Sequence, residues 1–446
     1  AFLGPGVQAG ISHGVGAYHI PNFRLRSYGV YTNKVPAGSY RASGVADMTF
    51  AVESHTDIIA RKLGIDPWEF RRQNAVNEGD TSVRGDRIPR NGLYQTLDEI
   101  RERLAGSEPG PDQGSGIALC EWRSGSGAST AQVTVSEDGS VTVLTGSVDI
   151  SGSDTALAQI AAQSLGIGME KVIIAKRDTD LAPFTSPSGG SRITYSQGKV
   201  VEQATMQVRD KAMELAAERL QIGRETLACG GGRVYVEDNP EQGYALGQLS
   251  QMAVTSRGGP LVGNAALSAM PYAPVFTAQA AEVKVDRQTG KVTLKRFIQA
   301  QDVGTAINPM AIMGQLEGGV VQGIGRALME HYKVEDGTPT NASFATYLMP
   351  LAPDIPPLET ILISVPSEDG PFGARAVAEP PGFGPGPAIA NAVEEATGVR
   401  IKELPLTADL VLAALRGEAK EIPPLDLSFL PQESRPPGPT QWQSGG

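Results

Sequence analysis

Two stretches of the chain alternate apolar and polar residues with a period of two. Ala131-Gln132-Val133-Thr134-Val135 turns at Glu137-Asp138-Gly139 and returns as Val141-Thr142-Val143-Leu144. Ala281-Glu282-Val283-Lys284-Val285 turns between Arg287 and Gly290 and returns as Val292-Thr293-Leu294. Alternation on both sides of a glycine turn predicts a β-hairpin. Each hairpin is followed by an aspartate-containing loop (Asp149 or Asp302) and a long apolar-periodic segment carrying a glutamine, Gln159 or Gln315. The repeated order predicts a diverged internal duplication across Gly116–Gly417.

Helical periodicity predicts one helix over Met48–Leu63, with Phe50, Val52, Ile58, Ile59 and Leu63 apolar and Gly64 as its stop, and another over Ser196–Leu220 joining the two copies. Ser27–Thr32 reads as a strand, and a Gly/Pro/Ser break at Gly106–Gly116 separates the first piece from the rest. The fold class expected is α+β: antiparallel or mixed sheets with packed helices, in two pseudo-repeated subdomains. Three regions follow, 1–110, 111–420 and a Pro-rich polar tail at 421–446.

Composition narrows the function. The chain holds 53 glycines and 32 prolines in 446 residues, an excess gathered in short clusters, which indicates many fixed turns. A net charge of −11 speaks against nucleic acid as the main partner, since phosphate binding needs a basic face. No apolar run reaches the length of a membrane span, and Ala1–Pro5 shows no signal-peptide pattern, so a cytoplasmic location is expected, with the periplasm left open. Two cysteines cannot hold an iron–sulfur cluster, and the four histidines lack zinc-ligand spacing. A metal, if present, is expected to be held by something other than side chains.

Five loops could carry chemistry. In Gly373–Gly384 a single carboxylate, Glu379, stands among Gly, Ala, Val and Pro, with Arg375 four residues earlier. Pro380 biases Glu379 toward an extended backbone, and an environment with little polar company suits a general base; a surface glutamate in a Pro-rich turn fits the same pattern. Pro36–Gly44 presents Arg41, flanked by Tyr40, Ala42 and Ser43, whose forked donors suit an anion or a carbonyl; a surface arginine is the alternative. Ser151, Gly152, Ser153, Asp154 and Thr155 lie at a predicted helix start, where free N–H groups receive phosphates. Gly189, Gly190 and Ser191 form a fourth loop, and Gly314–Gly319 with Gln315 a fifth. None is a Walker loop, and no G-x-G-x-x-G follows a strand.

In this order the five loops resemble the molybdenum subunit of the xanthine dehydrogenase and aldehyde oxidase family. Val30-Tyr31-Thr32-Asn33 with Ser39-Tyr40-Arg41 is similar to a family loop at the metal, Ser186–Ser191 to a loop whose backbone reaches it, and Gly314–Gly318 to a pterin-contacting segment. Gly373–Pro380 resembles the loop carrying the catalytic glutamate, and Ala388–Ala392 with Leu404–Thr407 the family's usual ending. The resemblance implies a molybdenum–molybdopterin cofactor, in the cytosine dinucleotide form of bacterial relatives, with molybdenum held by the pterin dithiolene. It makes Glu379 the base for oxidative hydroxylation of an aldehyde or N-heterocycle, with water as the oxygen source. Arg41, Ser151–Thr155, Gly189–Ser191, Gln315 and Arg375 become cofactor contacts, and Tyr40, Ala42 and Ser43 substrate-pocket residues. Region 1–110 is then the end of a first molybdenum-cofactor-binding domain and 111–420 the second.

The same resemblance implies partners: a subunit or fragment with the N-terminal half of the molybdenum domain, an iron–sulfur (2Fe-2S) subunit, an FAD subunit and a small-molecule substrate. A chain severed from that half is expected to be poorly stable alone. Three departures stand out. Asp149-Ile150 leads to Ser151-Gly152-Ser153 instead of the family's Gly-Gln-Gly, Ala42 stands where copper-containing carbon monoxide dehydrogenases have cysteine, and the family's first half is absent. Rival readings are a molybdenum enzyme for reductive aromatic dehydroxylation, a non-catalytic scaffold or maturation relative, and a serine hydrolase; no G-x-S-x-G elbow supports the last.

Overall fold

The computed structural model describes residues 10–30, 33, 38–107, 109–176 and 178–419. Tail 421–446, positions 31–32 of the Ser27–Thr32 strand and Pro36-Ala37 lie outside them; positions 27–30 carry no strand. The element order is α1 (Val45–Leu63), α2 (Pro67–Asn74), α3 (Leu93–Leu104), β1 (Gln113–Arg123), β2 (Ser129–Val135), β3 (Val141–Thr145), α4 (Ser153–Leu165), β4 (Val172–Ala175) and α5 (Gly198–Leu220). There follow β5 (Leu227–Gly230), β6 (Arg233–Val236), β7 (Asn239–Ala245), α6 (Leu246–Arg257), β8 (Val262–Leu267), β9 (Pro274–Val285) and β10 (Val292–Asp302). Last come α7 (Pro309–Leu328), a short hairpin of β11 (Val334–Glu335) and β12 (Thr338–Pro339), β13 (Leu358–Ile363), α8 (Pro385–Thr397) and α9 (Ala408–Leu415).

Both hairpins form, β2 with β3 and β9 with β10; the first leads through the Asp149 loop into α4, and the second leads into α7, with Asp302 as the last residue of β10 and not in a loop. The sheets around them run β4-β3-β2-β8 and β1-β9-β10-β13, mixed because β3/β4 and β10/β13 pair in parallel. A third, antiparallel sheet is β5-β6-β7. The two large sheets bury their faces differently. In the first, β2 and β3 alternate buried and half-buried positions over α4 and α5. In the second, β9 is buried along nearly its whole length. One of its faces carries Ala278, Ala280, Ile298 and Ala300 against α3, and the other carries Ala281, Val283 and Phe297 against α8.

Helix α8 lies so close to β1 that a Cβ on Gly116 would meet Ala388 O and Ala392 N at 2.2 Å each. Backbone cannot yield as a side chain can. Gly116→Val is therefore expected to cost upward of ~3 kcal/mol through overpacking. A thermal melt of the intact complex checks it, and an unchanged midpoint would contradict the fit.

Helix α1 ends at Gly64 as expected, with φ 68°, its N–H bonded to Ala60 O and Arg61 O. Its buried face is not the apolar stripe the periodicity pointed to. Leu63 is 61% exposed, while Glu53 and Asp57 are buried. They meet the fully buried Arg71, whose Nε donates to Glu53 at 2.8 Å, and Arg400, whose Nη2 donates to Asp57 at 2.8 Å. Tyr18 OH and Leu119 N also donate to Glu53, which joins α1 to α2 and β1. Carboxylates and guanidinium groups are stable in an interior when paired and hydrogen-bonded in this way.

Candidate active site

Glu379 sits between β13 and α8, at the mouth of a cavity of about 350 Å³. Its backbone is helical (φ −77°, ψ −44°) and opens a short 3-10 turn over Pro380–Gly382, closed by Gly382 N donating to Glu379 O at 3.2 Å. This corrects the expectation of an extended backbone: the bias against helical geometry before proline is a preference, and here the turn overrides it. Nor does the carboxylate lack polar company. Ala42 N donates to its Oε2 at 2.5 Å and Gly190 N to its Oε1 at 3.2 Å, while Glu379 N donates to Ser191 Oγ at 2.9 Å. Two backbone donors from different loops thus fix the position of one acid.

Arg41 ties the cavity walls together. Its Nε donates to Ala378 O at 2.5 Å, its Nη1 to Gln322 Oε1 at 3.1 Å and its Nη2 to Gln315 O at 3.1 Å and Gln315 Oε1 at 3.3 Å. A planar fork serves two walls at once, the Glu379 loop and α7. Gly319 makes this approach possible, since a Cβ there would lie 2.6 Å from Pro381 Cγ and 3.1 Å from Arg41 Cζ. Burial lowers the Arg41 pKa from its ordinary value, and the nearby Glu379 opposes that fall. Arg41→Lys removes the fork. With each charged hydrogen bond worth about 1.5–3 kcal/mol, the complex is expected to melt several degrees lower; a wild-type melting temperature would show that the fork ties nothing.

The five stretches do converge, the fifth of them as part of α7 and not as a loop. Arg41, Ser151, Gly152, Ser153, Gly189, Ser191, Gln315, Arg375 and Glu379 all line the cavity. Ala42 and Gly190 border it through their bonds to Glu379. Asn308, which caps α7 by accepting from Ala311 N at 3.2 Å, also lines it. So does Gln322, seven residues and two helical turns after Gln315 on α7. Both were missed, although i, i+7 spacing on one helix face was the available signal for Gln322.

Several expected residues do not offer their polar ends to the cavity, or do not line it. Arg375 is 2% exposed, and its guanidinium donates to Val365 O, Pro274 O and Arg90 O while pairing with Asp302 at 3.3 Å. Its charged end is thus committed to the framework and is not offered to a ligand. Asp154 pairs with Lys176 at 2.6 Å, and neither it nor Thr155 lines the cavity. The start of α4 is capped from within: Asp149 Oδ1 accepts from Asp154 N at 3.1 Å and Ser153 Oγ at 3.2 Å, so this helix end is not an open phosphate cradle. Tyr40 and Ser43 do not line the cavity; the Arg326 guanidinium lies 4.8 Å from the centre of the Tyr40 ring, and Ser43 Oγ donates to Tyr40 O.

A larger cavity of about 480 Å³ holds His13, Glu121 and Tyr272 but none of the five loops. The convergence of the loops, rather than size, marks the smaller cavity as the site.

That cavity accepts a bulky polar group. A Cβ on Gly189, which lines it, would meet nothing within 4 Å, so backbone is open to close approach there. Hydroxyls of Ser151 and Ser191 and the amides of Gln315 and Gln322 supply polar edges. Among the described residues no group of three or more His, Cys, Asp or Glu side chains is placed to hold a metal ion. A metal here would bring its own ligand.

Comparison with known proteins agrees with this geometry. The molybdopterin cofactor-binding domain family matches residues 93–356, and a second family of the same description matches residues 3–75. The chain is 31% identical over 401 residues to a putative xanthine dehydrogenase molybdenum-binding subunit of Escherichia coli (strain K12), covering 84% of this chain and 53% of that protein. It is 33% identical over 425 residues to an aldehyde oxidoreductase of Megalodesulfovibrio gigas, covering 90% of this chain and 44% of that one. The crystal structure of quinoline 2-oxidoreductase from Pseudomonas putida 86 superimposes with a TM-score of 0.84 at 26% identity, over 92% of this chain and 57% of that one. The chain spans about half the length of these relatives. The match over residues 93–356 covers more than half of the sequence, and the chain belongs to the molybdopterin cofactor-binding family that contains the molybdenum subunits of xanthine dehydrogenase and aldehyde oxidoreductase.

Proposed function

We propose that the cavity at Glu379 seats a molybdenum–molybdopterin cofactor, in its cytosine dinucleotide form, and that Glu379 is the general base of a molybdenum hydroxylase acting on an aldehyde or N-heterocycle. The observation that carries this reading is the Glu379 carboxylate, held by Ala42 N and Gly190 N at the edge of a cavity walled by open backbone and amide side chains. When bound, the cofactor supplies the two-electron acceptor and the activated oxygen that a polypeptide lacks.

The chain's own groups do the rest. Arg41 and Gln322 hold one part of the wall, Ser151–Ser153 line another, and Gly189 leaves its backbone open to the cofactor. Gln315 presents its amide beside Arg41. Glu379 accepts a proton at a carboxylate oxygen as the new carbon–oxygen bond forms. Its two backbone donors keep that oxygen within reach of the reacting atoms, and such positioning is what general-base catalysis requires.

The assembly belongs to the same reading. The remaining part of the molybdenum domain, a 2Fe-2S subunit and an FAD subunit complete the enzyme and carry electrons away, and the complex resides in the cytoplasm. Among the described residues no helix is long and apolar enough to cross a membrane. The test is isotopic. The complex purified from its native source is assayed with xanthine, benzaldehyde and quinoline in H₂¹⁸O, with a dye as electron acceptor. Product carrying ¹⁸O supports hydroxylation; turnover without label, or only in the reductive direction, refutes it.

A further inference from the structure

The face of the β1-β9-β10-β13 sheet that carries α8 changes character along its length. It is apolar at Ala281, Val283 and Phe297, then polar at Gln279, Gln299 and Gln301. All three glutamines are at most 1% exposed, and the Oε1 of each has no hydrogen-bond partner. A buried amide with a bare carbonyl is costly. Its amide nitrogen must therefore do something the interior needs.

Two of these nitrogens act on the catalytic loop. Gln301 Nε2 donates to Val377 O at 3.0 Å, two residues before Glu379. Gln279 Nε2 donates to Pro381 O at 3.3 Å, two residues after it. The third turns elsewhere, Gln299 Nε2 donating to Thr360 Oγ1 on β13 at 3.2 Å. The loop also makes room for the clamp: a Cβ on Gly384 would lie 2.2 Å from Gln279 Oε1. Since Pro380 and Pro381 have no N–H to give, this turn is held largely through its carbonyls.

We propose that Gln279 and Gln301 are positioning residues, a two-point clamp from adjacent strands that fixes the height of Glu379 against the Ala42 and Gly190 N–H groups. The clamp rests on Glu379 being the base only for its effect on turnover. Its effect on the loop is independent of that reading.

The test uses the intact complex with Gln279→Met, Gln301→Met and the double variant, which keep side-chain volume and remove the amide. Gln299→Met is the matched control, equally buried and equally missing a carbonyl partner. Hydrogen–deuterium exchange of the peptide spanning residues 374–384 is expected to rise at least tenfold in each clamp variant and to stay unchanged in the control. Turnover of whichever probe the wild-type complex oxidises is expected to fall ten- to a hundredfold in kcat, with KM within twofold and molybdenum content normal. Unchanged exchange in both clamp variants, or an equal rise in the Gln299 variant, overturns the clamp. If a methionine variant does not assemble, the leucine variant at the same position is read by the same exchange criterion. Glu379→Gln with full turnover would sink the base assignment alone, leaving the exchange result to judge the clamp.

Discussion

Glu379→Gln is expected to lower turnover by about 10²–10⁴-fold, the usual contribution of a positioned general base, while molybdenum and pterin stay bound at wild-type levels. The substitution is nearly isosteric. One amide oxygen can still accept from Ala42 N or Gly190 N, the donors that reach the carboxylate at 2.5 and 3.2 Å. What is lost is the ability to take a proton, together with one acceptor, because the amide NH₂ must now face a backbone N–H. The loop itself is held by other means, through Arg41 to Ala378 O and Ser191 Oγ to Glu379 N. Folding and cofactor loading are therefore expected to survive. Steady-state kinetics paired with metal analysis separates the two, and a variant that keeps wild-type turnover removes Glu379 from the chemistry.

Arg375→Met is expected to destabilise the fold by about 3–5 kcal/mol, the range for breaking one half of a buried ion pair. The guanidinium is 1% exposed and its partner Asp302 fully buried. Asp302 also accepts from Gly92 N at 2.9 Å and Gly304 N at 3.0 Å, so β10, the start of α3 and the Glu379 loop meet at this pair. Burial lowers the Arg375 pKa and raises that of Asp302, and each partner opposes the shift in the other. Methionine removes the cation beside Asp302 and the guanidinium donor to the carbonyls of Val365, Pro274 and Arg90. Pairing it with Asp302→Asn is expected to recover part of the loss, because the unpaired charge is then gone. Denaturant titration of the intact complex measures both, and a single variant as stable as wild type contradicts this account of Arg375.

Much of this was legible in the sequence, and the failures share a cause. The two hairpins were visible because their turns carry Gly139 and Gly290 and their strands alternate. Helix α1 was placed within three residues, yet its inward face was misjudged because periodicity counts Leu63 and Phe50 but cannot see Arg71 and Arg400 arriving to pair with Glu53 and Asp57. Glu379 and Arg41 stood out as lone polar groups among small residues. Arg375 stood out for the same reason, yet its guanidinium pairs with Asp302, since local sequence does not reveal whether a buried charge meets a ligand or a carboxylate brought to it by the fold. Gln279 and Gln301 drew no notice. They lie outside the strands expected at Ala281–Val285 and Val292–Leu294, and only pairing of the longer β9 with β10 beneath the turn gives them a task.

The central claim is that the cavity bounded by Glu379, Arg41, Gly189 and Gln315 is the seat of the molybdenum cofactor. Crystals of the complex from its native source, measured on both sides of the molybdenum absorption edge, test it in one map. The account predicts an anomalous peak inside that cavity, facing the Glu379 carboxylate. A peak in another part of the chain, or none from fully active crystals, would contradict it.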